Sequence, residues 1–325
     1  VISLHSRFRY TGLDFSNKET LMKKSLIALA VLAASGAAMA QSSVTLYGIA
    51  DLAVVKAKGS SAALASGGVS TSRWGLKGSE DLGGGLAANF NFEQGVDLTN
   101  GSLKGNGFDR QAWLGLSGGF GEIKLGKMWN AYDDIVGATS PLFDSGALTT
   151  NNLAPSYALE AGNPGNAVYY ATPSFGGVSG AVSTTFKTGE TNARVTAFHV
   201  KYEGGPLFVG LAHEQQKDDL SADLKLTRLS ASYDFGAAKL LASVGQVKDV
   251  ADDVTIGVDV PLSSALTLSA GATQVRPEVG DNGTRYGLAA AYGLSKRTTA
   301  YTGFYKDNKA AGDGHLFAVG LKHAF

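Results

Sequence analysis

Residues 317–325 read FAVGLKHAF. Chain ends are usually polar and frayed unless something ties them down. In an extended chain Phe317, Val319, Leu321, His323 and Phe325 share one face, and Leu316, Ala318, Gly320, Lys322 and Ala324 share the other. The last residue therefore reads as part of a strand, and the strand needs a partner along its free edge.

The same period of two recurs almost throughout, with little helical spacing. In SSVTLYGIADLAVVKAK (42–58), Val44, Leu46, Leu52 and Val54 lie on one face while Thr45, Tyr47 and Asp51 lie on the other. Sixteen such segments follow one another, the last at about 314–325. Even-numbered joins are short (EDLGGGL, SGGFG, SFGGV, EGGP), whereas odd-numbered joins are longer and more polar (GSSAALASGGVS, DLTNGSLKGN). One sheet closed on itself, with tight turns at one rim and loops at the other, produces this asymmetry. In hydrocarbon no water satisfies backbone groups, so a spanning sheet must have no free edge and its last strand must seal against its first. Phe325 then sits where aromatic girdles meet the membrane interface. These features predict an all-β fold, a 16-stranded antiparallel transmembrane β-barrel. A soluble β-protein, buried on both sheet faces, would need steadier apolar runs.

The front of the chain reads as an address. MKKSLIALAVLAASGAAMA (22–40) has a basic start at Lys23 and Lys24, an apolar centre and a small-residue cleavage site at Ala38-Met39-Ala40, the features of a secretory signal peptide. Its apolar run is too short for a bilayer anchor. Residues 1–21 show no clean period and read as upstream sequence translated from the wrong start, which leaves 41–325 as the barrel. The chain carries 28 basic and 28 acidic residues; five of the bases and two of the acids precede Gln41, so the remainder is slightly acidic and gives no sign of nucleic-acid binding. No cysteine is present, which excludes disulfide scaffolds, thiol catalysis and thiolate metal sites. No cofactor and no metal are expected.

One join breaks the pattern. Between the fifth and sixth segments about 129–165 are irregular, mixing Ile135, Val136, Leu142, Phe143 and Leu148 with Asp133, Asp134, Asp144 and Glu160. Loops this long are usually functional. Apolar anchors among carboxylates suggest a segment packed on an inner wall with charge shown to water; folded inward, it would narrow a water-filled barrel.

SSVTLYGIAD (42–51), SRWGLKGSEDLGGGLAANFNFEQG (72–95), DRQAWLGLSGGFGEIKLGKMWNAYDD (109–134), NAVYYATPSFGGVSG (166–180) and FAVGLKHAF together resemble the general diffusion porins of Gram-negative bacteria, of the betaproteobacterial and neisserial type. The resemblance spans essentially all of 41–325. It implies a homotrimeric outer-membrane barrel in contact with lipid, delivered by periplasmic chaperones and the outer-membrane assembly machinery, with Phe325 in the insertion signal and the long loop as a constriction. It also implies basic residues on the barrel wall, at Arg73, Arg110 and Lys127, opposite loop acids Asp133, Asp134 and Asp144, the last because SPLFDSG resembles the loop tip. Tyr169 stands where the family often has arginine. Parity aims Arg73 into the lumen, but sets Arg110 with Ala112 and Leu114, and Lys127 with Ile123 and Leu125, on the opposite face. The resemblance implies passive transport of small hydrophilic solutes and ions, with weak selectivity whose sign the sequence leaves open.

Rival readings have less behind them. An outer-membrane enzyme could use His199 and His213 on adjacent segments, but parity points them to opposite faces. A substrate-specific channel would need a basic or aromatic ladder, and none stands out along single segments. An adhesive barrel would need larger loops. GSEDLGGGL lacks the lysine and following helix of a phosphate cradle and reads as a turn.

Overall fold

An alternating strand satisfies its backbone only by pairing along both edges. In the computed structural model, which describes residues 43–143, 146–187, 194–217 and 223–325, the pairing closes into a ring. The expected signal peptide and Asp144 lie outside the described residues. The strands are β1 (Ser43–Ala57), β2 (Ala63–Ser66), β3 (Arg73–Gly83), β4 (Leu86–Asp97), β5 (Ser102–Leu103), β6 (Gln111–Gly118), β7 (Gly121–Lys127), β8 (Ala167–Ala171) and β9 (Val178–Thr185). They continue as β10 (Arg194–Gly204), β11 (Leu207–Lys217), β12 (Leu224–Asp234), β13 (Lys239–Val247), β14 (Ala251–Pro261), β15 (Leu266–Pro277), β16 (Gly283–Gly293), β17 (Thr298–Asp307) and β18 (His315–Ala324).

β1 pairs with β3, β3 with β4, β4 with β6, and each later strand with the next through β18, which pairs back onto β1. All these ladders are antiparallel. The short β2 and β5 only extend the edges of β1 and β4, so sixteen strands form the wall. At the seam the Gly48 amide donates to the Phe325 carbonyl and the Phe325 amide to the Gly48 carbonyl, both at 3.0 Å. The Phe325 ring lies over Gly48, where a Cβ would come within 2.3 Å of it. The final residue is thus part of the closing ladder, as its alternation predicted. Between β8 and β9 the chain reverses through Gly176 and Gly177 at φ +59° and +88°, angles that side-chain-bearing residues rarely adopt.

Two faces result. Outside, Leu46, Leu114, Ile256, Leu288 and Val319 are exposed, which suits hydrocarbon. Inside, residues of opposite parity such as Ala197, Ala212, Arg228, Ser243 and Asp253 are buried, because the described residues between β7 and β8 (128–143 and 146–166) pack on them. The described residues of this segment hold two single-turn α-helices, α1 (Asp133–Val136) and α2 (Pro155–Ala158), and two 3-10 turns (Gly137–Thr139 and Thr150–Leu153). Tyr132, Ile135 and Val136 pack on Ala197, Ala212 and Leu226; Leu142 and Leu148 pack on Ala53, Ala289 and Tyr301. Burying side chains of this size stabilises by about 1.5–3 kcal/mol each, so the apolar anchors alone hold the loop firmly. The wall is hollowed to receive them: a Cβ at Gly210 would lie 2.6 Å from Ile135 Cδ1, at Gly287 2.7 Å from Leu142 Cδ1, and at Gly303 2.6 Å from Leu148 Cδ1.

Candidate functional site

Covering that part of the inner wall leaves most of β3 to β7, with the first half of β1, to face the lumen. Arg73 opens β3, and its Nε lies 3.5 Å from Oε2 of Glu93 on β4. Arg110 donates from Nε to Oε1 of the same carboxylate at 2.7 Å. Tyr47 donates its hydroxyl to Glu93 at 2.9 Å. Two guanidinium groups therefore reach one nearly buried carboxylate. Lys77, Lys124 and Arg110 on this wall also lie over aromatic rings, where the π face attracts them. Lys77 Nζ is 5.1 Å from the Tyr47 ring centroid, Lys124 is 5.0 Å from Trp113 and 4.8 Å from Tyr169, and the Arg110 guanidinium is 5.1 Å from Trp129.

The loop side is a set of bonds between acids and wall. Asp134 accepts from the Tyr169 hydroxyl at 2.7 Å and lies 3.5 Å from His199 Nδ1, with about a third of its side chain (32%) open to the lumen. Burial pushes the Asp133 carboxyl up to about 6, against a lowering hydrogen bond with Glu160. Burial and the neighbouring Asp133 push Glu160 well above the carboxylate range. Two carboxyl groups stay in hydrogen-bond contact only when one holds a proton, so this pair carries less than its formal charge at neutral pH.

Further along, Arg228 is fully buried: Nη1 donates to Ser156 Oγ at 2.7 Å and Asp253 Oδ1 at 3.1 Å, and Nη2 to Ser243 Oγ at 2.6 Å. Ser156 also donates its backbone amide to Asp253 at 2.9 Å, which fastens α2 to β14. At the loop tip Leu142 and Phe143 take positive φ, +63° and +84°, a strained backbone held by the Leu142 amide bond to Ser269 Oγ at 3.0 Å. Beside the tip the Leu148 amide donates to the Gly68 carbonyl at 3.1 Å. Buried Asp51 accepts from the amides of Gly68, Val69 and Ser70 and from the Tyr301 hydroxyl.

The structure brings Arg73 and Arg110 together and sets Lys127 against the end of the loop, its Nζ donating to the Asn163 carbonyl at 2.7 Å. Strict alternation opposed the last two. Arg110 lies one residue before β6 begins, after Phe108 at φ +28°, and Gly126 at φ +135° bends the end of β7. Asp133 and Asp134 open α1, although Asp133 is turned to Glu160. Glu93, Lys124 and the Arg228–Asp253 pair escaped the sequence reading. Glu93 shares the inward parity of Asn89 and Asn91, a signal that was present. The two histidines face apart, as parity indicated: His199 is buried against the Ala131 carbonyl, whereas half-buried His213 packs on Phe198. Cation and ring pairs that single segments do not show form across strands.

A family model described as Gram-negative porin matches residues 26–311. Outer membrane porin protein 32 of Delftia acidovorans is 34% identical, with 94% of this chain and 100% of that protein covered. The major outer membrane protein P.IB of Neisseria meningitidis (strain H44/76) is 30% identical over the same shares. Among solved structures, an anion-selective porin from Comamonas acidovorans superposes with a TM-score of 0.79 at 28% identity, covering 88% of this chain and 100% of that one.

Proposed function

Since the chain belongs to the Gram-negative porin family, and so forms an outer-membrane, water-filled channel for passive diffusion of small hydrophilic solutes, we propose that its constriction favours anions. The observation that carries this reading is the row of cations on the bare wall, where Arg73 and Arg110 meet at Glu93 and Lys77 and Lys124 lie over aromatic rings. Lys77 and Lys124 extend the positive wall toward the short-turn rim. Across from them, the acids are weakened by the proton that Asp133 and Glu160 share. Clusters of Arg and Lys at a constriction favour anions, as rings of acids favour cations.

In this reading Arg73, Arg110 and Lys127 are the basic side of the eyelet, Asp133, Asp134 and Asp144 its acidic side, and Phe325 the insertion signal. A homotrimer accords with the family and with the outward aromatic cluster of Trp74, Phe90, Phe92 and Phe108. Planar-bilayer recording under a potassium chloride gradient tests the selectivity: the dilute side should become negative. A positive dilute side would refute anion preference, and an absence of channels would refute the pore itself.

A further inference from the structure

Below the arginine cluster, toward the short-turn rim, the bare wall holds a recess of about 370 Å³ whose lining is unlike the rest of the lumen. Strand register sets its side chains in rows. Thr45, Lys77, Asn91 and Trp113 stand side by side on β1, β3, β4 and β6. In the next row Ser43, Ser79 and Asn89 lead to Gly115, with Lys124 beyond it. Gly115 adds no side chain between Asn89 and Lys124, and the Lys124 stem lies over it, its Cγ 3.3 Å from where a Cβ would stand. Ser117 and Glu122 close the lower edge.

The chemistry of this lining selects a ligand class. Hydroxyls and amides from five side chains (Ser43, Thr45, Ser79, Asn89 and Asn91) offer both donors and acceptors, which matches a molecule that carries several hydroxyls. Trp113 supplies an apolar platform on which the C–H face of a sugar can lie, steadied by Lys124 at 5.0 Å. Charge narrows the class further. Lys124 is committed to Glu122 at 2.9 Å, whereas Lys77 lies over the neutral Tyr47 ring with no acid in ion-pair contact among the described residues. One uncommitted cation suits one carboxylate, and a phosphate dianion would need more. A volume of this size lies at the small end of ligand pockets, enough for one monosaccharide unit.

We propose that this recess is a weak binding site for a polyhydroxylated monocarboxylate, a sugar acid, whose carboxylate meets Lys77 and whose hydroxyls meet Asn89, Asn91 and the flanking serines. The inference rests on the anion-preferring channel above. It turns a general diffusion pore into one that holds such a solute briefly between eyelet and exit.

The test is planar-bilayer recording of the purified full-length barrel in potassium chloride, with sodium gluconate, sodium acetate or glucose added to one side. Gluconate should reduce the chloride current saturably. Acetate, which lacks the hydroxyls, should show no saturation, and glucose, which lacks the carboxylate, should bind more weakly. K77Q should weaken gluconate binding about tenfold, the worth of one charge-assisted hydrogen bond, without changing the response to glucose. N89A/N91A should weaken both. Each variant's chloride conductance reports that it has folded and inserted, and the gluconate effect is read relative to it. Gluconate that acts no differently from acetate overturns the site. A half-saturating gluconate concentration that stays at the parent's value in both K77Q and N89A/N91A overturns it too, by placing binding elsewhere. Loss of channel activity in the parent protein, by contrast, would refute the pore and not the recess.

Discussion

The two halves of the inner wall are built on one strand pattern and filled in opposite ways. Under the loop, inward positions are small or paired: Gly210, Gly287 and Gly303 receive Ile135, Leu142 and Leu148, and the one fully buried guanidinium among the described residues, Arg228, is matched by Asp253. On the bare half, inward positions carry long charged and aromatic side chains whose heads reach lumen water. The difference follows from what each half faces. A wall that meets protein must leave room and compensate every charge, whereas a wall that meets water can carry surplus charge, and that surplus gives the pore its field.

Removing the compensation on the covered half should have the largest effect. Arg228→Met leaves Asp253 buried without its cation, which costs about 3–5 kcal/mol. Thermal unfolding followed by circular dichroism should show a clear fall in Tm, and R228M/D253L should recover much of it. An unchanged Tm in R228M would show that the loop does not depend on this anchor. Next comes the hollowing. Gly303→Leu fills the space of Leu148 at an overpacking cost of about 1–3 kcal/mol. A displaced loop opens the eyelet, so single-channel conductance should rise, while a substitution of similar size on the bare wall at Ser79 should not raise it. Equal effects at the two positions would erase the distinction between the halves.

A smaller change should come from pH. A carboxyl whose proton affinity is raised in the folded state gives stability that is complete below the ordinary carboxylate range and lost as pH rises through about 6, the value to which Asp133 is pushed. Between pH 5 and pH 8 the loop side therefore gains negative charge and loses docking strength. Anion preference, read as zero-current potential, should be greater at pH 5 than at pH 8, and D133N should flatten the dependence. A parent protein whose selectivity is the same at both values would contradict the shared proton.

The ring of strands was legible because its signal is local and repeated. Alternation from Val44 to Phe325 marked each strand, and the uneven joins marked closure. Parity likewise placed Arg73 and separated His199 from His213. It failed at Arg110 and Lys127, where Phe108 and Gly126 depart from extended geometry and a rule of strict alternation no longer applies. The loop's anchors were illegible for a different reason. Ser156, Arg228 and Asp253 are far apart in the chain and meet only once the barrel closes, so no stretch of sequence records their bond. The inward glycines stood in plain view as gaps in the alternation, but what fills them depends on how the loop folds across them.

The claim that the bare wall sets the field is tested most directly by the zero-current potential of R73Q/R110Q compared with its parent under the same potassium chloride gradient. The account predicts a parent with a negative dilute side and a double variant displaced toward positive values, with channels still open. A double variant that keeps the parent's potential would contradict it.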